Sequence, residues 1–359
     1  MKAVPVVVQH SWGTLGGGGP IGALTRLMGS RLAEQYEFVP MHQQQAAGGV
    51  DVSLLRQWVR MLREVQPDLV HVRGLGNEGF HGVLAARLAG CPRILVSVHG
   101  TQRDLSDRAG LRRSVVVKAL EPATLALATH VTTVCHYAAA RPFVQRHRTK
   151  LIGPLVNGVT IESGDDSARQ GLRTSLGLRE KDVAVASVGR LVWEKGHEDL
   201  ASALTLAPAS VRERTVLLIV GDGPDSEAIE ARYQTTGVRT RMLGRRLDVP
   251  DILRAADVFA FPSWHENLSN ALIEAMMSGV PVVATDVGGN TEIVRGGGGL
   301  LIPARNADAL AAALVELIRD EPRRRLLGEE ARENALANYS TEAMLQTFDN
   351  VYRTVLGVK

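Results

Sequence analysis

Short apolar runs rich in β-branched residues alternate with helical patterns along the whole chain. In the first half VPVVVQ (4–9), YEFVP (36–40), DLVHV (68–72), RILVSV (93–98) and HVTTVC (130–135) predict strands. VSLLRQWVRMLREV (52–65) and FHGVLAARLAG (80–90) between them predict helices. The second half repeats the theme with VAVASVG (183–189), VLLIVG (216–221), DVFAFP (257–262) and VPVVAT (280–285). Strands that are apolar at nearly every position suit burial on both faces, as in a parallel sheet flanked by helices. The pattern therefore predicts two doubly wound α/β domains. The polar connector NGVTIESGDDSARQG (157–171) is the expected break between them.

Length agrees, since 359 residues suit two domains of ~180 residues each. A composition of 45% hydrophobic and 22% charged residues excludes disordered and fibrous chains. The net charge of +3 is too small to argue for nucleic acid. Basic residues do gather in RDLSDRAGLRRSVVVK (103–118) and RPFVQRHRTK (141–150), read first as solvated helix faces and second as a surface for anionic lipid head groups. Cys91 and Cys135 adjoin apolar segments and are expected to be reduced, buried thiols. The apolar core of MKAVPVVVQHSW is too short for a signal peptide, and no run approaches the ~20 apolar residues of a membrane span. A cytoplasmic chain is expected, with peripheral contact at the inner face of a membrane as the second reading.

LGGGGPIG (15–22) contains G-x-G-x-x-G at Gly17, Gly19 and Gly22, and Pro20 suits the first turn of a helix. Three readings stay open from this segment: a dinucleotide loop, a loop for another phosphate, or a turn. QHSWGTL separates Val8 from Gly16, and that distance from the first apolar run argues against a dehydrogenase. Glycines at a helix start still let backbone N–H groups approach an anion closely.

The second half is richer in chemistry. SVGRLVWEKGHEDL (187–200) leaves a buried strand at Gly189 and sets Arg190 and Lys195 on a loop, where a planar fork and a point charge suit a diphosphate. In FPSWHENLSNALIEAMMSGVPVVATDVGGNTEIV (261–294), Glu266 lies in a loop and Ser269 or Asn270 can cap a helix. That helix turns Leu272, Ile273, Met276 and Met277 inward and ends at Gly279. Glu274 on it has a carboxylate suited to a ribose diol. Asp222 in VGDGP reads as a turn residue, and Glu292 as a residue of a helix start.

The ordered set GRLVWEKG (189–196), VGDGP (220–224), ENLSNALIE (266–274) and EAMMSGVPVVATDVGGNTEIV (274–294) resembles the retaining family 4 glycosyltransferases. PDLVHV (67–72), SVHG (97–100), VNGV (156–159) and the AR…YS pattern (331–340) add to the likeness, which covers essentially the whole chain. The resemblance implies the GT-B fold, two Rossmann-like parallel-sheet domains facing a central cleft. It implies domains at 1–156 plus 340–359, on the acceptor side, and at 157–339, binding the nucleotide sugar. The tail YSTEAMLQTFDNVYRTVLGVK (339–359), patterned as an amphipathic helix, would cross back onto the first domain.

For the site the resemblance implies that Arg190 and Lys195 bind the donor's diphosphate. Glu274 would hold the ribose, and Glu266 a hydroxyl of the transferred sugar. Amides of Leu268, Ser269 and Asn270 would meet sugar and phosphate, with Gly189 at the loop's start. Gly18 and Gly19 would line the phosphate from the first domain, and His99 would reach the donor sugar. The base would lie near Leu243, Gly244 and Arg245. Asn267 and His265 depart from the family pattern at the position that bears on donor-sugar preference.

The implied reaction moves a sugar from a nucleoside-diphosphate sugar, UDP- before GDP-, to an acceptor hydroxyl with retention. The setting would be bacterial polysaccharide, lipid-linked glycan or glycoside biosynthesis, with a sugar, lipid-linked or small-molecule acceptor. No D-x-D occurs in the chain, so no metal or other cofactor is expected, and cations with backbone dipoles would stabilise the leaving diphosphate. The rivals are a GT-B sugar-nucleotide epimerase, which consumes donor without acceptor, and an inactive nucleotide-sugar-binding protein.

Overall fold

A computed structural model describes residues 4–13, 20–44, 49–104, 110–160 and 166–358. The chain divides into two compact units, Met1–Gly158 with Thr341–Lys359, and Val159–Ser340. The chain enters and leaves the second unit side by side, where Val159 N–H donates to the Tyr339 carbonyl at 2.9 Å.

In the first unit β1 (Val6–Trp12), β2 (Glu37–Gln43), β3 (Leu69–Arg73), β4 (Ile94–Val98) and β5 (His130–Thr133) form a parallel sheet in the order β2-β1-β3-β4-β5. Successive side chains point to opposite faces. Val8, Val70, Val72 and Val96 pack with Leu55, Trp58, Leu62 and Val83 of the helices Val52–Val65 and Asn77–Ala89. Val7, Leu69 and Leu95 join a separate core with Leu27, Met344, Phe348 and Tyr352, so the last helix, Thr341–Leu356, packs within this unit. The helix Val52–Val65 starts where Asp51 Oδ1 accepts from Leu54 N–H at 3.0 Å, satisfying one of its unpaired donors.

β1 is longer than its apolar run suggests. It continues through Gln9, His10 and Ser11 to Trp12, and these three polar residues are buried. Gln9 Nε2 donates to the Tyr352 hydroxyl at 2.8 Å, and the His10 ring meets Trp58 edge-on at 5.4 Å. The separation inferred between strand end and glycine loop thus rested on polar residues that belong to the strand, and the argument it made against a dehydrogenase falls. A helix does begin at Pro20.

The second sheet holds β6 (Val183–Val188), β7 (Thr215–Val220), β8 (Arg239–Met242), β9 (Val258–Phe261), β10 (Val282–Thr285) and β11 (Gly299–Ile302). All pairings are parallel, in the order β11-β10-β9-β6-β7-β8. The order reverses between β6 and β9, and a doubly wound sheet opens a crevice for ligand at the carboxyl ends of strands flanking such a reversal. The two doubly wound parallel sheets expected from the sequence are therefore present.

Several basic residues of the first half serve the fold. Arg103 Nε pairs with Glu121 at 2.8 Å and Arg141 with Asp104 at 2.5 Å, and both guanidinium groups lie over the Phe143 ring. Lys150 Nζ donates to the carbonyls of Ala126 and Ala128 at 2.7 and 2.8 Å, closing the end of a helix. Cys91 and Cys135 are both buried and free. No helix among the described residues is long and apolar enough to cross a membrane.

Candidate active site

β6 and β9 deliver the two central loops of the second unit. Beyond β6, Gly189 N–H donates to the Val220 carbonyl at 3.0 Å, and the chain turns outward. Arg190 is exposed, and its guanidinium has no hydrogen-bond or ion-pair partner among the described residues. Lys195 ends the short 3-10 turn Trp193–Lys195. Its ammonium pairs with Glu266 Oε1 and sits 5.6 Å from the centre of the Phe261 ring.

The loop after β9 brings Glu266 to that lysine. Ser263, fully buried, donates its hydroxyl to Glu266 Oε1 at 2.9 Å, while Trp264 N–H donates to the Glu194 carbonyl at 2.9 Å. The loop then enters the helix Asn270–Met277, whose first turn is capped by Ser269 Oγ accepting from Leu272 N–H at 3.2 Å. Leu272, Ile273, Met276 and Met277 are all buried, as their spacing predicts. Leu268, Asn270 and Glu274 remain partly exposed around the cap. Free N–H groups and the positive end of the helix dipole make this terminus attractive to an anion. Ser269→Ala is expected to lower stability by about 1 kcal/mol, the usual cost of a lost cap, read as a lower urea midpoint with unchanged m-value.

Glycines allow these loops to touch. A Cβ on Gly196 would lie 1.9 Å from the Pro262 carbonyl oxygen, and one on Gly289 would lie 1.9 Å from that of Asn267. The Glu266 loop is thus wedged between the turn that carries Lys195 and the start of the helix Gly289–Arg295. Gly221 completes a third contact, its φ of +141° placing the backbone where a Cβ would strike the Gly189 carbonyl at 1.8 Å. Gly221 N–H donates to the Gly244 carbonyl at 2.8 Å, and Leu243 N–H to that of Ile219. The turn Leu243–Gly244–Arg245 is thereby tied to the strand beside Gly189. Asp222 has the turn role read from the sequence, accepting from Gly223 N–H at 2.7 Å.

Sequence reasoning missed Ser263, Gly196 and Gly289, which hold the two charged side chains together. It also missed the surroundings of Trp264, whose indole N–H donates to Asp199 at 2.6 Å beneath the Arg305 guanidinium, 4.2 Å from the ring. Position just beyond a buried strand was the available signal for Ser263.

His99 follows β4 in the first unit. Its Nε2 is sealed from solvent without a hydrogen-bond partner among the described residues, and burial, helped by the nearby Arg73 charge, pushes its pKa down to about 3. The imidazole is neutral at physiological pH. Gly18 and Gly19, expected to line the phosphate, lie outside the described residues.

Comparisons with known proteins bear on the family and the fold. Residues 168–334 match the family described as glycosyl transferases group 1, and residues 29–142 match glycosyltransferase family 4. A GDP-mannose-dependent alpha-mannosyltransferase of Mycolicibacterium smegmatis is 31% identical over 78% of this chain and 72% of its own length. The UDP-Gal:alpha-D-GlcNAc-diphosphoundecaprenol alpha-1,3-galactosyltransferase of Escherichia coli is 29% identical over 76% of this chain and 71% of its own. Among solved structures, Anabaena HepE in complex with UDP and glucose superposes with a TM-score of 0.80 at 20% identity, over 98% of this chain and 100% of that one. Two doubly wound parallel sheets, the matched family models and the mannosyltransferase relative together establish that the chain belongs to the family 4 glycosyltransferases of the GT-B fold.

Proposed function

We propose that the chain moves a sugar from a nucleoside-diphosphate sugar, UDP- in preference to GDP-, to an acceptor hydroxyl with retention and without a metal. The reading rests on one observation above the others, the placement of Lys195 and Glu266 on the two loops that flank the strand-order reversal. Glycosyl transfer leaves new negative charge on the diphosphate. Lys195, the exposed Arg190 guanidinium and the capped N-terminus at Ser269 supply positive potential in one unit. Glu274 would take the ribose hydroxyls, Glu266 a sugar hydroxyl, and the turn Leu243–Arg245, with Gly189, the base side. His99, neutral, would donate to or accept from a sugar hydroxyl without adding charge. In the retaining route we favour, the acceptor attacks the face the diphosphate leaves, and the departing oxygen takes the acceptor's proton.

UDP is favoured by the HepE complex, while the mannosyltransferase relative keeps GDP in view. The acceptors named for relatives, among them a diphosphoundecaprenol-linked sugar, L-malate and D-inositol 3-phosphate, support a setting in bacterial glycan or glycoside synthesis. The test is turnover with UDP- and GDP-sugars over a panel of acceptors in EDTA, with the product's anomeric configuration read by NMR. Nucleoside diphosphate release that needs acceptor, tolerates EDTA and retains configuration is the expected result. Donor consumption without acceptor, or activity restored only by magnesium or manganese, overturns the proposal.

A further inference from the structure

We infer that Arg73 forms an anion-binding subsite in the first unit, made for a carboxylate or phosphate group carried by the acceptor. The inference rests on the transferase reading above and adds the acceptor's chemical class to it. Arg73 ends β3, and the strand order β2-β1-β3-β4-β5 reverses between β1 and β3, so this side chain stands at the unit's own ligand crevice. It is only 5% exposed. Nη1 donates to the His10 carbonyl at 3.0 Å across the reversal, while Nη2 is sealed from solvent and has no hydrogen-bond acceptor among the described residues.

The groups around the guanidinium are polar but uncharged. His10 lies near it from β1, His71 from its own strand, His99 from beyond β4 and Tyr352 from the last helix, with Gln9 and Ser97 bonded in turn to Tyr352 and His71. The Tyr352 hydroxyl accepts from Gln9 and bonds His71 Nδ1 at 2.9 Å, and His71 Nε2 bonds the Ser97 hydroxyl. Burial pushes His10 down to about 3, holds His71 well below the usual imidazole range, and pushes Tyr352 up to about 12, so all stay neutral at physiological pH. No carboxylate among the described residues forms an ion pair with Arg73. Burial lowers the Arg73 pKa, opposed only by the Tyr352 hydroxyl, which meets the guanidinium as a polar, uncharged neighbour through its charge distribution and a side-chain hydrogen bond.

A guanidinium that has lost its water without gaining a counter-charge disfavours folding. An anionic oxygen brought to Nη2 would restore what burial removed, and the planar fork of arginine suits carboxylate and phosphate. The contrast with the second unit is direct. There the half-buried Lys195 already has Glu266, whereas Arg73 has only dipoles.

The experiment measures thermal unfolding of the full chain with UDP saturating, titrated with inorganic phosphate and with malonate against chloride at matched ionic strength. The wild type is expected to gain stability with either anion, and Arg73→Met to lose that response while melting higher than the wild type in chloride alone. A variant that melts lower yet keeps the anion response marks Arg73 as a structural strut and overturns the proposal, as does a wild type that ignores both anions. A response seen without UDP and abolished by it assigns the guanidinium to the donor's diphosphate and equally overturns the acceptor assignment. If Arg73→Met does not fold, Arg73→Lys, which keeps charge and loses the fork, is expected to bind malonate about tenfold more weakly, and unchanged affinity sinks the idea. Stabilisation by UDP before any anion is added tests the transferase reading separately.

Discussion

Replacing Lys195 with alanine is expected to lower kcat by about 10²–10³-fold, the size seen when one fixed group facing developing charge is removed. Two effects combine in that loss. The leaving diphosphate loses a cation, and Glu266 is left with only the Ser263 hydroxyl of the two partners that Oε1 has now. Donor KM should change little, because a group matched to the departing oxygen acts more on the transition state than on bound substrate. Lys195→Arg, which restores charge with a different shape, is expected to recover part of the rate. The decisive measurement is the split between kcat and KM. A raised KM at unchanged kcat would reassign Lys195 to ground-state binding, and no change in either would remove it from the site.

The same pair shows how far the sequence could be read. Lys195 and Glu266 were legible as candidates because each follows an apolar strand, and open α/β sheets bind ligand there. Their direct contact was not legible. It depends on β6 and β9 being neighbours, a pairing that brings together strands with β7 and β8 between them in the chain. Strand boundaries show the same division. Interior strands such as β6 and β7, buried at every position, are visible as apolar runs. β11, Gly299–Ile302, lies at a sheet edge, is only partly buried and begins within a glycine run, so its apolar run is too short to stand out as a strand. The apolar runs of β1 and β3 stop short of the strand ends for a different reason. Their carboxyl ends carry His10, Ser11 and Arg73, and polarity that serves a crevice looks like the end of a strand.

Gly196 governs whether the two loops can meet at all, and Gly196→Ala is expected to cost the fold severely. Two penalties fall on one atom. At φ +76° an alanine occupies left-handed backbone, at about 1–2 kcal/mol for an L-residue. Its methyl would also sit 1.9 Å from the Pro262 carbonyl oxygen, and backbone cannot swing aside as a side chain does. Gly237 separates the two, since its φ is +72° but the nearest atom to a new Cβ is the side-chain Nε of Arg212 at 3.7 Å. Gly237→Ala should therefore cost only the conformational part and leave turnover intact. Gly196→Ala should cost at least about twice as much, toward the 4 kcal/mol that marks the severe tail of single substitutions, and should abolish turnover by parting Lys195 from Glu266. Urea unfolding and initial rates on both variants read the difference. Equal losses of stability with activity preserved would mean that the Lys195 turn and the Glu266 loop have room to separate, and that their contact does not set the geometry of the site.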